Sequence, residues 1–219
     1  MIGAGVPLSA PRLLTGFFDE GGEAALVAAV REVEALSSAE VVVSVRKSSG
    51  SYADASLVVG AAGAGAALAF GLFSPWPFSH ASLLVDPFLI GAVLAWGSRL
   101  VPSLRRLATS PSERARRVAT HARAQFVERG VGNTSGRTGV LVYVSLLERA
   151  AFVVADTGVT SAVPAEEWSA RVAELDAAAR RGKATAVARA VTALGPTLAR
   201  PLPRSDDDVN ELPDRISSA

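Results

Sequence analysis

The sequence predicts an α/β fold: a small mixed β-sheet flanked by helices and interrupted by a transmembrane helical hairpin. Three observations in the 219-residue chain predict it. Short β-branched runs, "EVVVSVR", "TGVLVYVSL" and "AAFVVAD", stand among segments with helical periodicity. No charged residue occurs between Asp54 and Asp86. That uncharged stretch separates the first β-branched run from the other two, so whatever pairs with the first strand must return to it from far along the chain.

The elements follow in order. Residues 1–16 contain Pro7 and Pro11 and no basic stretch ahead of an apolar run, so they are expected to be a flexible leader and not a secretory signal. Residues 19–36 place Leu26, Val30, Val33 and Leu36 on one helical face, with Asp19 and Glu20 complementing the helix dipole at its start. Residues 40–46 make the first strand, which has no neighbour in sequence to pair with.

A helix needs roughly 20 apolar residues to cross a hydrocarbon core. Residues 55–73 supply the first arm before Pro75 and Pro77 stop it; residues 81–101 supply the second, interrupted only by Asp86 and Arg99 near its ends. Trp76, Phe78 and Trp96 fall near the expected interfaces. Buried helices of a soluble core are the alternative, but two adjacent arms without a polar stripe would need a larger protein around them. Small residues recur at helical spacing, Gly60 with Ala64, Ala61 with Gly65, Ala67 with Gly71 and Gly91 with Ala95, which suits close approach of the arms. Arg46 and Lys47 precede the hairpin, Arg99, Arg105 and Arg106 follow it, and the turn between its arms has neither Lys nor Arg. The positive-inside rule then puts the soluble parts and both termini in the cytoplasm, with two spans in the inner membrane.

After the hairpin, residues 111–129 read as a helix capped by Ser112, with Val118, Ala122, Phe126 and Val127 on its apolar face and Gly130 as its stop. Its arginines, Arg114, Arg116, Arg117 and Arg123, are solvated or touch headgroups. Residues 138–146 and 150–156 are close enough to form an antiparallel hairpin across Leu147, Glu148 and Arg149. Residues 164–181 are helical, with Pro164 in the first turn and Trp168, Val172 and Leu175 on one face. A last helix covers 185–198, and 201–219 form a Pro- and Asp-rich tail. The soluble domain is thus expected in two parts, 17–54 and 102–200, around a hairpin at 55–101.

Composition removes several function classes. Lys+Arg 22 against Asp+Glu 21 gives a net charge of +1, so no global field favours nucleic acid, and no nucleic-acid partner is expected. Cys 0 excludes disulfides and thiolate zinc sites, and the two histidines, His80 and His121, leave little imidazole chemistry. His121 has no carboxylate beside it in sequence and is a poor catalytic base. Asp206, Asp208 and Asn210 begin like a calcium loop, but Glu211 stands where glycine is needed and Ser217 where a bidentate Glu is needed. Phosphate loops, nucleophile elbows and HExxH patterns are missing from the sequence.

The segment "GNTSGRTGVLVYVSLLERAAFVVADTGV", with the nearby "AQFVERG", resembles the TPM domain family, whose hallmark is a helix, a Gly-Val-Leu strand, an acidic-basic turn and a strand ending near an acidic residue. The nearest variety is a bacterial one in which two membrane helices interrupt the domain after its first strand and the chain ends near "NELPD", matched here by residues 210–214. The resemblance runs from about residue 17 to residue 214 and implies an α/β sandwich. For some members it also implies phosphatase activity, which would use a divalent cation.

Two readings of the site residues stay open. Hydrolysis of a phosphate monoester needs an activated water or nucleophile and a cation to take up charge. Thr134, Arg137, Thr138, Glu148, Arg149 and Asp156 lie around the matching strands, and Asp19 and Glu20 open the first helix. Turn chemistry accounts for the same residues: Glu148 and Arg149 solvate a hairpin turn, and Asp156 with Thr157 precedes Gly158. The family's glycine-rich turn is replaced by "ADTGV". The leading expectation is a bilayer-anchored, noncatalytic module that binds a protein partner in assembly or quality control of membrane proteins; the rival is a metal-assisted phosphatase.

Overall fold

The structure is a computed structural model that describes residues 12–18, 21–205, 211–212 and 216–218. It divides into two compact units, Gly50–Arg114 and a second unit assembled from the chain up to Ser49 and from Ala115 onward.

The second unit is built on one mixed sheet of strand order β3-β2-β1-β4. β1 (Glu40–Arg46) and β2 (Gly139–Ser145) run parallel in register from Glu40 opposite Gly139 to Arg46 opposite Ser145. β3 (Ala150–Ala155) returns antiparallel to β2, as the short connection between them requires. The expected long-range pairing of the first strand with "GVLVYVS" is therefore present. Ser217–Ser218, read in the sequence as tail, form β4, a two-residue parallel addition to the other side of β1.

β1 and β2 are buried on both faces, which is why they read as continuous β-branched runs without polar alternation. Val41, Val43, Val45, Val140, Val142 and Val144 point into a larger core shared with α2 (Gly22–Leu36), α8 (Ala165–Arg180), α9 (Ala184–Thr192) and α10 (Leu194–Ala199). Val42, Leu141 and Tyr143 point to the opposite face, under Val118 and Ala122 of α6 (Pro111–Glu128). The period of two along each strand thus sorts side chains into two cores, and helices cover both.

Several sequence expectations are corrected. Residues 12–16 of the expected leader belong to a helix, α1 (Arg12–Phe17), whose Leu14 and Phe17 are buried. Leu36 and Val127 do not join their apolar faces; they are 47% and 76% exposed. The Ser110 hydroxyl, not Ser112, accepts from the Glu113 N–H at 3.2 Å and caps α6. Pro164 is the residue before α8, not a member of its first turn. The last helix is broken into α9 and α10 at Ala193, where the chain bends so that Val187, Val191, Leu194 and Leu198 all reach one core. Residues after Asp156, expected as a turn, form α7 (Thr157–Ala162) because the Asp156 carboxylate caps the Thr157 N–H.

The unit Gly50–Arg114 contains α3 (Ala53–Phe73), α4 (His80–Gly97) and α5 (Pro102–Leu107). Residues Ala53–Phe73 and His80–Leu100 are long and apolar enough to cross a membrane, and only 11% and 17% of their most apolar windows are buried. α3 and α4 pack against each other through their smallest residues. A Cβ on Gly60 would lie 2.8 Å from both the Ala95 Cβ and the Gly91 carbonyl oxygen, and one on Gly91 would lie 3.0 Å from the Ala64 Cβ. The Gly60–Ala64 and Gly91–Ala95 rows therefore face each other, whereas a Cβ on Gly65 would meet open space. Ser79 caps α4 by accepting from the Ser82 N–H at 3.0 Å.

Candidate functional site

β2 separates the sequence-predicted site residues into two groups, one at each end of the strand. Seven residues at about 3.3 Å each make these ends roughly 20 Å apart.

At the amino end, Thr134, Arg137, Thr138 and Asp156 come together. The Thr138 N–H donates to the Thr134 hydroxyl at 2.9 Å, and the Thr138 hydroxyl donates to the Ser38 carbonyl at 2.9 Å. Arg137 adopts a left-handed φ of 54°, which turns the loop into β2. Its carbonyl accepts from the Gly158 N–H at 2.9 Å, and its Nη1 donates to the Gly132 carbonyl at 3.2 Å. The Asp156 carboxylate is buried: Oδ1 accepts from the Thr157 N–H at 2.6 Å, while Oδ2 lies 3.0 Å from Arg137 Nε in an ion pair without an aligned hydrogen bond. Two glycines permit this packing. A Cβ on Gly139 would sit 1.9 Å from the Val131 carbonyl oxygen, and one on Gly158 would sit 2.4 Å from that of Gly136.

At the carboxyl end, Glu148 closes a buried chain of hydroxyls. Its carboxylate accepts from the Ser49 N–H at 2.8 Å and from the Ser145 hydroxyl. Ser49 Oγ donates to Ser145 Oγ at 2.9 Å and lies 3.1 Å from the Tyr143 hydroxyl. With the single Ser49 proton spent on Ser145, Tyr143 is the donor in that last bond. The chain runs from Tyr143 through Ser49 and Ser145 to Glu148, all buried. Burial first, and the Glu148 charge further, raise the Tyr143 pKa above its ordinary value, against the lowering effects of its hydrogen bonds and of Arg46. Arg149 sits exposed in the β2–β3 turn with a φ of 51°, so its place is set by the turn.

Tyr143 also borders an open cleft of about 380 Å³ lined by Arg46, Lys47, Ser48, His121 and Gln125. Gln125 organises it: its Oε1 accepts from Arg46 Nη2 at 2.9 Å and from Arg129 Nε at 2.8 Å, while its Nε2 donates to Glu128 at 2.8 Å. The Arg129 pKa is lowered, mainly by burial and then by the Arg46 charge. Sequence reading missed this cleft. The available signal was the pair Arg46-Lys47 at a strand end ahead of the serine-rich "SSGS" turn.

Asp19 and Glu20 lie outside the described residues. Among the described residues, no group of three His, Cys, Asp or Glu side chains is placed to hold a metal ion.

No protein-family model matches the chain, and no curated protein does either. Among solved structures, it is similar to the NMR structure of BA42 from the psychrophilic bacterium Bizionia argentinensis, with a TM-score of 0.57 and 18% identity over 93% of this chain and 96% of that one. That likeness shows the fold.

Proposed function

We propose that this chain is a bilayer-anchored α/β domain of the TPM kind that works by binding a protein partner, in assembly or quality control of membrane proteins, and not by catalysis. The observation that carries the choice is the engagement of Asp156 and Glu148. Each is committed to groups of its own chain, the first to Thr157 and Arg137, the second to Ser49 and Ser145. They stand at opposite ends of β2, too far apart to share a metal ion or a water. Such carboxylates hold loops in place; they are not poised for hydrolysis.

Anchorage is supported by the outward apolar faces of α3 and α4, among them Leu57, Phe70, Phe73, Leu84, Phe88 and Val93. Surface of that extent is stable in hydrocarbon and a liability in water. The basic flanks favour cytoplasmic termini in the inner membrane. The order of helix, strand, apolar hairpin, helix, strand and strand agrees with what the TPM resemblance implies.

Two measurements test this reading. The protein should stay with membranes through alkaline carbonate washing; release into the supernatant overturns the anchor. The purified protein should not hydrolyse generic phosphomonoesters with any divalent ion. Turnover stimulated by metal and lost in Asp156→Asn would establish the phosphatase instead.

A further inference from the structure

We propose that the cleft at the carboxyl ends of β1 and β2 is an anion site, in which Arg46 and Lys47 bind a phosphate group beside His121 and Gln125. This goes beyond the membrane-anchored reading and stands without it, since every residue of the cleft belongs to the sheet-bearing unit.

Four observations converge. First, the location: β1 and β2 are parallel and end side by side at Arg46 and Ser145, and ligands of α/β sheets bind outside the carboxyl ends of parallel strands. Second, the lining: it carries two cations, an imidazole, an amide and two hydroxyls, and no carboxylate. Among the described residues, neither Arg46 nor Lys47 has a carboxylate partner. Of the nearby acids, Glu148 is turned inward onto Ser49 and Ser145, and Glu128 accepts from the Gln125 amide.

Third, the Arg46 guanidinium and the backbone of both cationic residues are held before any ligand arrives. Arg46 is tied to the α6 side chain of Gln125, and the backbone carbonyls of Arg46 and Lys47 each accept at 2.9 Å, from the N–H groups of Leu146 and Leu147. A guanidinium with one N–H spent on an amide keeps others for an anion, and its planar fork suits phosphate oxygens. Fourth, Arg46 and Arg129 converge on one neutral oxygen, and the Arg46 charge disfavours that of Arg129 more than the neighbouring Glu128 charge favours it. An anion in the cleft relieves that repulsion.

The phosphate has two sources. In sequence, Arg46 and Lys47 come just before α3, which begins at Ala53, so a lipid headgroup is one; a soluble phosphate compound is the other. The experiment separates them. The full chain in uncharged maltoside micelles is titrated with inorganic phosphate in one arm and with phosphatidic acid, against phosphatidylcholine, in the other. Thermal melting and the NMR signals of the His121 ring and the Gln125 side-chain amide are followed.

A saturable rise in Tm with movement of both signals in the phosphate arm assigns the soluble source. The same response to phosphatidic acid alone assigns the headgroup. In either case Arg46→Gln and Lys47→Glu should each weaken binding at least about tenfold, as expected on losing a charge-assisted contact, and the exposed Lys183→Gln should not. Lys47→Glu leaves the Arg46–Gln125 bond in place and so reads the site even where Arg46→Gln perturbs α6. No response in either arm, or an undiminished response in Lys47→Glu, overturns the proposal.

Discussion

The Glu40 carboxylate accepts the Glu211 backbone N–H at 3.1 Å across 171 residues of sequence. It also takes the Leu212 N–H at 3.3 Å, and the Glu211 carboxylate in turn receives the Ser135 N–H at 2.8 Å and hydroxyl at 2.6 Å. Leu212 packs on the core under α6 and Ile216 on the opposite core, so the described tail residues reach both faces of the sheet beside the edge of β1 that β4 pairs. An uncovered strand edge is an aggregation site, and this strap covers it.

Removing the anchor should loosen the strap. Glu40→Ala deletes an acceptor serving two backbone donors and should cost about 1.5–3 kcal/mol, the range for hydrogen bonds to charged groups. Urea unfolding would show the loss, and limited proteolysis would show earlier cleavage near Glu211. Unchanged stability with an unchanged digestion pattern would mean that the strap adds nothing.

Acid should release the strap at Glu211. The Ser135 hydroxyl and then its N–H hold the Glu211 pKa below its ordinary 4.5. Because the folded-state value is depressed, this contribution is complete above the unfolded value and is lost as pH falls through the folded one. The Ser135 amide signal should therefore titrate with a midpoint under 4.5, and Glu211→Gln should abolish that titration. A midpoint at or above 4.5 would sink the assignment.

The packed glycines of α3 and α4 make a sharper test. Gly60→Leu and Gly91→Leu each place a side chain where a Cβ alone would meet backbone within 3.0 Å, so either should force the arms apart. Gly65→Leu points into open space and should be tolerated. Cysteine crosslinking between the arms in membranes would read the difference; equal crosslinking in all three variants would contradict the interface.

The strands and both long apolar arms were legible because each obeys one strong rule, two-faced burial for β1 and β2 and length for α3 and α4. Of the four small-residue rows, Gly60–Ala64 and Gly91–Ala95 face each other, but spacing alone does not separate them from Ala61–Gly65, whose Gly65 meets open space. What stayed hidden depends on contacts distant in sequence. Nothing local says that Glu211 reaches Ser135, or that Gln125 on α6 holds Arg46 at the end of β1. Ser49 and Ser145 look like ordinary turn residues until the parallel register of β1 and β2 brings them onto Glu148. Asp156 reads in sequence as the end of a strand, whereas its side chain begins a helix, since the same Asx chemistry serves both.

Glu148 should matter to stability far more than its neighbour. Glu148→Ala leaves the buried Ser49 N–H and Ser145 hydroxyl without their acceptor and should cost about 2–6 kcal/mol, the sum of two orphaned donors. Arg149→Ala, on the exposed side of the same turn, should stay within about 0.5 kcal/mol. Denaturation midpoints of the two variants measure the contrast, and equal effects would show that the hydroxyl chain is incidental.

The parallel pairing of β1 with β2 leads to the last prediction. The described packing partners of β1 in the two cores belong to one compact unit: β2 beside it, α2 against the face of Val41, Val43 and Val45, and Val118 with Ala122 of α6 on the face of Val42. The ladder that satisfies the backbone of β1 comes from β2 on one side and β4 on the other. None of these groups lies in residues 50–114. Replacing that span by a Gly/Ser linker of about 12 residues, with an r.m.s. reach of roughly 20 Å, should therefore leave a soluble domain that unfolds cooperatively in urea. Its amides at Val42 and Val142 should be among the slowest to exchange, because both sit in the doubly covered centre of the sheet. A chain that is disordered after the replacement, or that melts without cooperativity, would show that the sheet needs the apolar helices to form. A cooperative transition with fast exchange at Val42 alone would show that β1 is held by the hairpin and not by β2.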